Sequence, residues 1–200
     1  YALKKSYDYN VLSAINDGAA TIDGTLGVAG TAISGNTGDE IANYISTAAR
    51  VLDDNDVPGE NRWLCASPQF FEILRQADSK IMDSSVTGGV SNLFNGQVTD
   101  RKIHGFTLYQ TNTMVVGSVG SAAANTFGPS GTATEADVLF GHMSAVATAS
   151  HIAKTEVIRD PDSFSDIVRG LHVFGRKVLR GSATGTGYKG VFTGVVDLNT

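Results

Sequence analysis

The stretch from Asn36 to Ser79, NTGDEIANYISTAARVLDDNDVPGENRWLCASPQFFEILRQADS, decides the fold of this chain. It predicts a helix, a loop, a short buried strand and a second helix. Asp39 and Glu40 fall in the first turn of the first helix, where negative charge suits the helix dipole. The apolar positions follow the 3.6-residue period of a helix, at Ile41, Tyr44, Ile45, Ala48 and Leu52.

A polar loop and a short apolar run follow this helix. Residues 53–59, DDNDVPG, end the helix because they combine polar breakers with proline and glycine. Residues 62–66, RWLCA, have strand character. Ser67 is the predicted N-cap and Pro68 the first residue of the next helix, which we expect to reach about Asp78.

The two ends of the chain have different character. An apolar stripe over Ala2–Ile15 predicts a helix that ends by Gly18. The later part predicts strands over residues 102–110, 137–149, 151–159 and 164–180, and an edge strand within the last twenty residues. Asn95-Gly96 indicates a hairpin turn. Helices early and long strands late indicate the α+β class.

The order of these segments resembles the major capsid protein of tailed double-stranded-DNA bacteriophages, most closely the short-tailed (podovirus) branch. The resemblance covers about half of the chain. It is carried by LDDNDVP (residues 52–58), the arginine-led strand, SPQFFEIL (67–74), NGQV (95–98), IHGFTLYQTN (103–112) and residues 145–180. The chain departs from the family at Thr111-Asn112-Thr113, where Ser-Asn is usual, and in the small-residue run 117–134.

The resemblance implies the Hong-Kong-97-type fold, with a spine helix, an A-domain sheet flanked by helices, and a P-domain with long antiparallel strands. It places the end of the spine helix at residues 1–24, the A-domain at 25–140, the long P-domain strands at 141–180 and a C-terminal strand or tail at 181–200. Family members usually carry an N-terminal arm and an extended hairpin before the spine helix. We expect those parts to be missing from this chain, which starts at that helix.

Composition excludes several classes of protein. The single cysteine, Cys65, rules out an internal disulfide framework and a cysteine-rich zinc site. A formal charge of −5 argues against a dedicated nucleic-acid-binding module, and it is compatible with a shell that encloses DNA without specific binding. No window has the roughly 20 apolar residues of a membrane helix, and no signal peptide is visible.

Four features of the sequence could in principle carry chemistry. Cys65 lies in an apolar run, where burial would raise the pKa of the thiol. The histidines lack metal-site spacing, and the acidic loop 53–60 places Pro58 at a position where a calcium loop needs an oxygen ligand. The glycine-rich run 181–190 opens no predicted helix that could hold a phosphate. We therefore predict no catalytic, cofactor-binding or metal-binding residue.

One polar cluster brackets the turn between the late strands, and it consists of Glu156, Arg159, Asp160, Asp162, Asp166 and Arg169. Two interpretations stay open. The cluster is a solvated hairpin tip, or it forms ion pairs across a subunit boundary, where mixed charge sets the register of the contact.

The resemblance implies a structural virion protein and no enzymatic activity. Identical subunits would assemble as pentamers and hexamers into an icosahedral head around DNA, with scaffolding and portal proteins as partners, in the host bacterial cytoplasm. Two alternatives remain at this point. One is an encapsulin-like compartment shell, and the other is a hydrolase that uses Cys65 or Ser67.

Overall fold

The structure, a computed structural model, describes residues 2–22, 24–76, 102–114, 126–128, 134–161, 163–181 and 189–199. The predicted Asn95-Gly96 turn and most of the small-residue run 117–134 lie outside these residues. Helices come first and long strands last, as the α+β prediction requires. In chain order the elements are α1 (Ala2–Gly18), β1 (Ile33–Ser34), α2 (Gly38–Asp54), β2 (Arg62–Ala66), α3 (Pro68–Leu74), β3 (Phe106–Gln110), β4 (Glu135–His142), β5 (Val146–Arg159), β6 (Asp166–Val178) and β7 (Val191–Asp197).

Five strands form a mixed sheet in the order β1-β7-β4-β2-β3. The pairs β7–β4 and β4–β2 at its centre are antiparallel, whereas the edge pairs β1–β7 and β2–β3 are parallel. The expectation of an edge strand at the C-terminus is wrong, because β7 lies between β1 and β4. Its residues Val191–Val196 are buried on both faces, as in an interior strand. The predicted division into domains is not decided by this topology and stays a prediction.

The helix α2 begins with a capping box. The Thr37 hydroxyl accepts a hydrogen bond from the Glu40 backbone N–H at 3.3 Å, and the Glu40 carboxylate accepts one from the Thr37 N–H at 3.3 Å. The same carboxylate accepts from the Asn36 N–H at 2.8 Å. Two predictions are thus confirmed and refined: the helix is present, and Glu40 acts on specific N–H groups rather than on the helix dipole alone.

The second helix is shorter than expected. Ser67 is the N-cap of α3 and Pro68 its first residue, as predicted, but α3 ends at Leu74 and Arg75 is its C-cap. Residues 77–101, where we expected the helix to end, lie outside the described part of the chain.

Two predicted strand boundaries are wrong. The strand predicted over 137–149 is interrupted by a single 3-10 turn at Met143–Ala145, and β5 then runs unbroken to Arg159. The His142 side chain caps this turn by accepting from the Ser144 N–H at 3.2 Å. Strand β3 begins at Phe106 rather than residue 102, because His104 and Gly105 form a turn with φ of 48° and 85°.

Apolar side chains fill both faces of the sheet. One face buries α2 and α3 against three phenylalanines of the strands, Phe106, Phe140 and Phe192. On the other face Ile15 of α1 packs with Cys65, Leu139 and Val191. The sheet is therefore a buried central layer between helices, and it provides the rigid base of the molecule.

Arg62 fixes the loop between α2 and β2. Its side chain is almost fully buried, yet Nη2 donates to the Asp53 carboxylate at 2.6 Å and Nε to the Pro58 carbonyl at 2.9 Å. Nη2 also donates to the carbonyl of Val57. The predicted polar loop thus packs around the buried Arg62 side chain, whose bond to the Val57 carbonyl is buried and whose bond to the Pro58 carbonyl is partly buried.

Replacing Thr37 with alanine should lower the free energy of unfolding by about 1 kcal/mol, because the capping box loses its side-chain acceptor. Denaturant unfolding of the soluble subunit measures the effect. Ser46→Ala, on the exposed face of the same helix, is the control and should leave stability unchanged or slightly raised. Equal midpoints for Thr37→Ala and the unmodified chain would contradict the assigned cap.

Arg62→Ala should cost about 2–4 kcal/mol, because the buried Val57 carbonyl and the partly buried Pro58 carbonyl lose their donor. Asp53→Asn should cost only about 0–1 kcal/mol, since the Asp53 side chain is 67% exposed. The same unfolding measurement compares the two variants. If Asp53→Asn were as damaging as Arg62→Ala, the ion pair and not the carbonyl bonds would hold the loop.

Candidate subunit interface

Strands β5 and β6 form a separate two-stranded sheet. They pair in antiparallel register from Val146 opposite Val178 to Arg159 opposite Asp166, with one irregularity between Ile152 and Lys154. At about 3.4 Å per residue the hairpin is on the order of 45 Å long. An isolated two-stranded hairpin is marginal in water and needs a partner surface.

The helix α1 covers one face of the hairpin near its base. The Tyr7 ring lies edge-on to Phe174 with the ring centroids 5.2 Å apart, and 5.8 Å from the ring of His172. Tyr9, Val11 and Leu12 of α1 pack in one apolar cluster with Val146 and Val178. The base of the hairpin is thus tied to the body of the molecule.

The rest of the hairpin exposes large apolar side chains on both faces. Val168, on the same face as His172, is 73% exposed, and its cross-strand neighbour Val157 is 66% exposed. Leu171 and Val173, on the opposite face, are 57% and 54% exposed. Contiguous exposed apolar surface of this kind marks a site of protein association.

Sequence reasoning missed these apolar residues, although a signal was present. Neighbouring residues of a strand point to opposite faces. The adjacent apolar pairs Val157-Ile158 and Ile167-Val168 therefore place apolar side chains on both faces, which indicates that neither face of the hairpin is a solvent-exposed surface. A hairpin with one solvated face would alternate apolar and polar residues instead.

The structure brings five of the six residues of the predicted charge cluster to the distal end of the hairpin, and Asp162 lies outside the described residues. Glu156 lies opposite Arg169, and Arg159 lies opposite Asp166. Glu156 also pairs with Lys154 at 2.8 Å. Charges of opposite sign therefore alternate across the two strands, next to the exposed apolar residues.

The tip of the hairpin is shaped by local hydrogen bonds. The Asp160 N–H donates to the Ser165 carbonyl at 3.0 Å, and the Asp160 carboxylate accepts from the Ser163 hydroxyl at 2.8 Å. The fully exposed Phe164 ring lies 5.7 Å from the guanidinium of Arg159. Asp160 thus has a role within the turn, whereas Phe164 presents an apolar ring to the surroundings.

Both candidate nucleophiles have structural roles, Cys65 in the core and Ser67 as a helix cap. Cys65 is buried among the residues on the α1 side of the sheet. Burial, and secondarily the negative charge of Asp8, raises the pKa of this thiol to about 12, so it stays protonated at neutral pH. The Ser67 hydroxyl is buried and accepts from the Phe70 N–H at the start of α3.

The remaining candidate sites are the histidines, the acidic loop 53–60 and the glycine-rich run 181–190. Within the described ranges, no group of three histidine, cysteine or carboxylate side chains is placed to hold a metal ion. Asp54 of the acidic loop pairs with Arg50 at 2.8 Å. Most of the glycine-rich run 181–190 lies outside the described residues. No helix in the described part of the chain is long and apolar enough to cross a membrane.

Solved phage capsid structures share this fold. A chain from Mycobacterium phage Che8 superposes with a TM-score of 0.71 at 23% identity, over 98% of this chain and 60% of that one. The asymmetric unit of the bacteriophage PhiM1 mature capsid gives 0.61 at 16% identity, covering 98% and 60% of the two chains. The capsid of the cyanophage P-SCSP1u gives 0.56 at 19% identity, covering 98% and 62%. The chain therefore spans about 60% of the length of these structures.

The family assignment comes from the sequence as a whole. No curated protein matches the chain. A family model described as "Phage capsid protein" matches residues 1–192. With this match and the shared α+β fold, the chain belongs to the phage capsid protein family.

Proposed function

We propose that this chain assembles with identical copies, as pentamers and hexamers, into the icosahedral head of a tailed phage, and that the β5–β6 hairpin is a principal contact between subunits. The observation that carries this proposal is the exposure of Val157, Val168, Leu171 and Val173 on the two faces of one long hairpin. Burying such side chains contributes about 1.5–3 kcal/mol each. A neighbouring copy is the partner that a shell supplies at every position.

The edges of the hairpin support the same proposal. Each strand of a two-stranded sheet has one ladder edge without a strand partner, and such an edge pairs readily with another chain. The charges of Glu156, Arg159, Asp166 and Arg169 set the register of the contact rather than its strength, because exposed ion pairs contribute only about 0–1 kcal/mol. Repetition over a closed shell multiplies these small energies.

The enclosed cargo is proposed to be double-stranded DNA, held without specific binding, because the chain carries a net charge of −5. Scaffolding and portal proteins are the proposed further partners, and the host bacterial cytoplasm is the proposed place of assembly. The chain is proposed to belong to the short-tailed branch. The protein acts without catalysis in this proposal, since Cys65 and Ser67 serve the core and a helix cap.

Nuclease-protected DNA in purified particles would separate this proposal from an encapsulin-like shell, which would hold a protein cargo.

Leu171→Asp should abolish the formation of closed shells at protein concentrations where the unmodified chain assembles fully, because a charge is costly to bury in an apolar contact. The subunit itself should keep its thermal midpoint, as Leu171 is 57% exposed. Sedimentation and negative-stain microscopy measure assembly. Ser46→Asp, which introduces the same charge at an exposed position of α2, is the matched control and should assemble.

Arg159→Glu tests the charge cluster separately. It places two carboxylates opposite each other at the Arg159–Asp166 position. The subunit should fold, and the yield of normal-sized particles should fall by tenfold or more. Normal particles in normal yield would show that the cluster is a solvated tip and not an interface.

A further inference from the structure

Three carboxylates lie together on the α1 side of the five-stranded sheet. Glu135 and Asp137 are two residues apart on β4 and so share a face. Asp197 of β7 lies directly opposite Glu135 in the strand register. Glu135 is 3% and Asp137 5% exposed. Like charges placed in this way repel, and burial removes the water that would screen them.

Only part of this acidic cluster has hydrogen-bond donors. Both oxygens of Glu135 accept from the Gly30 N–H at 3.2 Å. In contrast, Asp137 Oδ2 and Asp197 Oδ1 are buried oxygens that accept no hydrogen bond from the described residues. A buried carboxylate oxygen in this state is costly when it carries charge.

A cavity lies beside Asp137, beneath the loop Gly24–Thr31. Asn16 of α1, the loop residues Gly27, Val28 and Ala29, and Thr193 of β7 contribute to its lining. None of the described lining residues is cationic. The loop GTLGVAGT itself contains no ionisable residue. Among the described residues, the polar groups placed near Asp137 are Glu135, Asp197, the neutral Asn16 and, from α2, Tyr44, whose pKa is raised by burial and by the charge of Asp137.

A proton is better suited than a metal ion to neutralise this cluster. No described group of three carboxylates is arranged to coordinate a metal. Burial, and secondarily the charge of Glu135, raises the pKa of Asp137 to about 6. The charge state of this group therefore changes between mildly acidic and neutral pH.

The loop above the cluster has two parts that contact different groups. Leu26 is fixed, because its carbonyl accepts from the Tyr44 hydroxyl at 3.2 Å and from the Val195 N–H at 3.0 Å. The turn Val28–Thr31 has its own internal backbone bonds and reaches the sheet through Gly30 and Glu135. Gly27, with φ of 75°, joins the two parts. The turn is therefore the part of the loop that contacts the acidic cluster, through the Gly30 N–H.

We propose that Asp137 is a proton-controlled latch for the turn Val28–Thr31. With Asp137 protonated, the described lining of the cavity carries no charge, and the turn stays seated on Glu135. With Asp137 ionised, a second buried negative charge lies beside Glu135, and lifting of the turn admits water to both carboxylates. This inference goes beyond the proposed role in assembly, because it assigns a pH response to the sheet and not to the hairpin.

The sign of the effect on stability follows from the raised pKa. Asp137 favours the folded state fully below its ordinary pKa of 3.8, and this contribution is lost as the pH rises through about 6. Asp137→Asn removes the ionisation. Relative to the unmodified protein, its unfolding equilibrium constant should be lower by on the order of 100-fold at pH 8 and nearly equal at pH 4.

Hydrogen exchange with mass spectrometry tests the latch in the full-length protein, as assembled particles or as free subunits. In the unmodified protein, exchange at residues 24–31, corrected for its intrinsic pH dependence, should rise by up to on the order of 100-fold between pH 4 and pH 8. Asp137→Asn should remove this rise. Asp17→Asn, on the exposed surface of α1, takes away an equal charge and should leave the rise intact.

Three results would overturn the latch. They are corrected exchange at residues 24–31 that does not change with pH, the same rise in Asp137→Asn as in the unmodified protein, or protection of the turn by millimolar Ca²⁺ at pH 8. If Asp137→Asn does not fold, Asp137→Ser provides the same comparison. Because free subunits suffice, failure of the latch is distinguishable from failure of assembly.

Discussion

The constraint on which the rest of this structure depends is that the β5–β6 hairpin is longer than the helix that covers it. The helix α1 packs its aromatic and apolar side chains on the basal half of one face, through Tyr7 and the cluster around Val178. The distal half and the opposite face present Val157, Val168 and Leu171 to the surroundings. A single chain cannot bury both faces of such a ribbon, so the apolar surface is available for a second molecule.

The five-stranded sheet gives this hairpin a rigid root. The hairpin is inserted between β4 and β7, which are paired with each other at the centre of the sheet. At the root, the Leu179 N–H donates to the Ala145 carbonyl at 2.8 Å, and the Gly190 N–H donates to the Arg180 carbonyl at 3.0 Å. Because the hairpin continues the most buried pair of strands, its direction is set by the core. A contact surface on a rigid root fits a shell, in which every copy must repeat the same geometry.

The sheet buries one cation, Arg62, and two carboxylates, Glu135 and Asp137, and their hydrogen bonding differs. Arg62 has donors enough for a carboxylate and two carbonyls, and all three acceptors are within reach. Asp137 is equally buried but leaves one oxygen without a donor beside a second carboxylate. The first arrangement is stable at any physiological pH, since arginine does not lose its proton. The second depends on a proton, which makes the glycine-rich loop above it the part of the sheet that responds to its surroundings.

The sequence by itself determined the features that depend on residues close together along the chain. The period of Ile41 to Leu52, the cap at Ser67 and the late strands were readable because each depends on neighbours within a few residues. Tertiary structure alone decided that β7 enters the interior of the sheet, since strand order depends on partners fifty or more residues away, and nothing in residues 191–197 encodes which strand lies beside them. It also decided which charges meet. The residues at the hairpin tip were close in sequence and could be grouped in advance, whereas Glu135, Asp197 and Gly30 come together only because β4, β7 and the loop are folded onto one another.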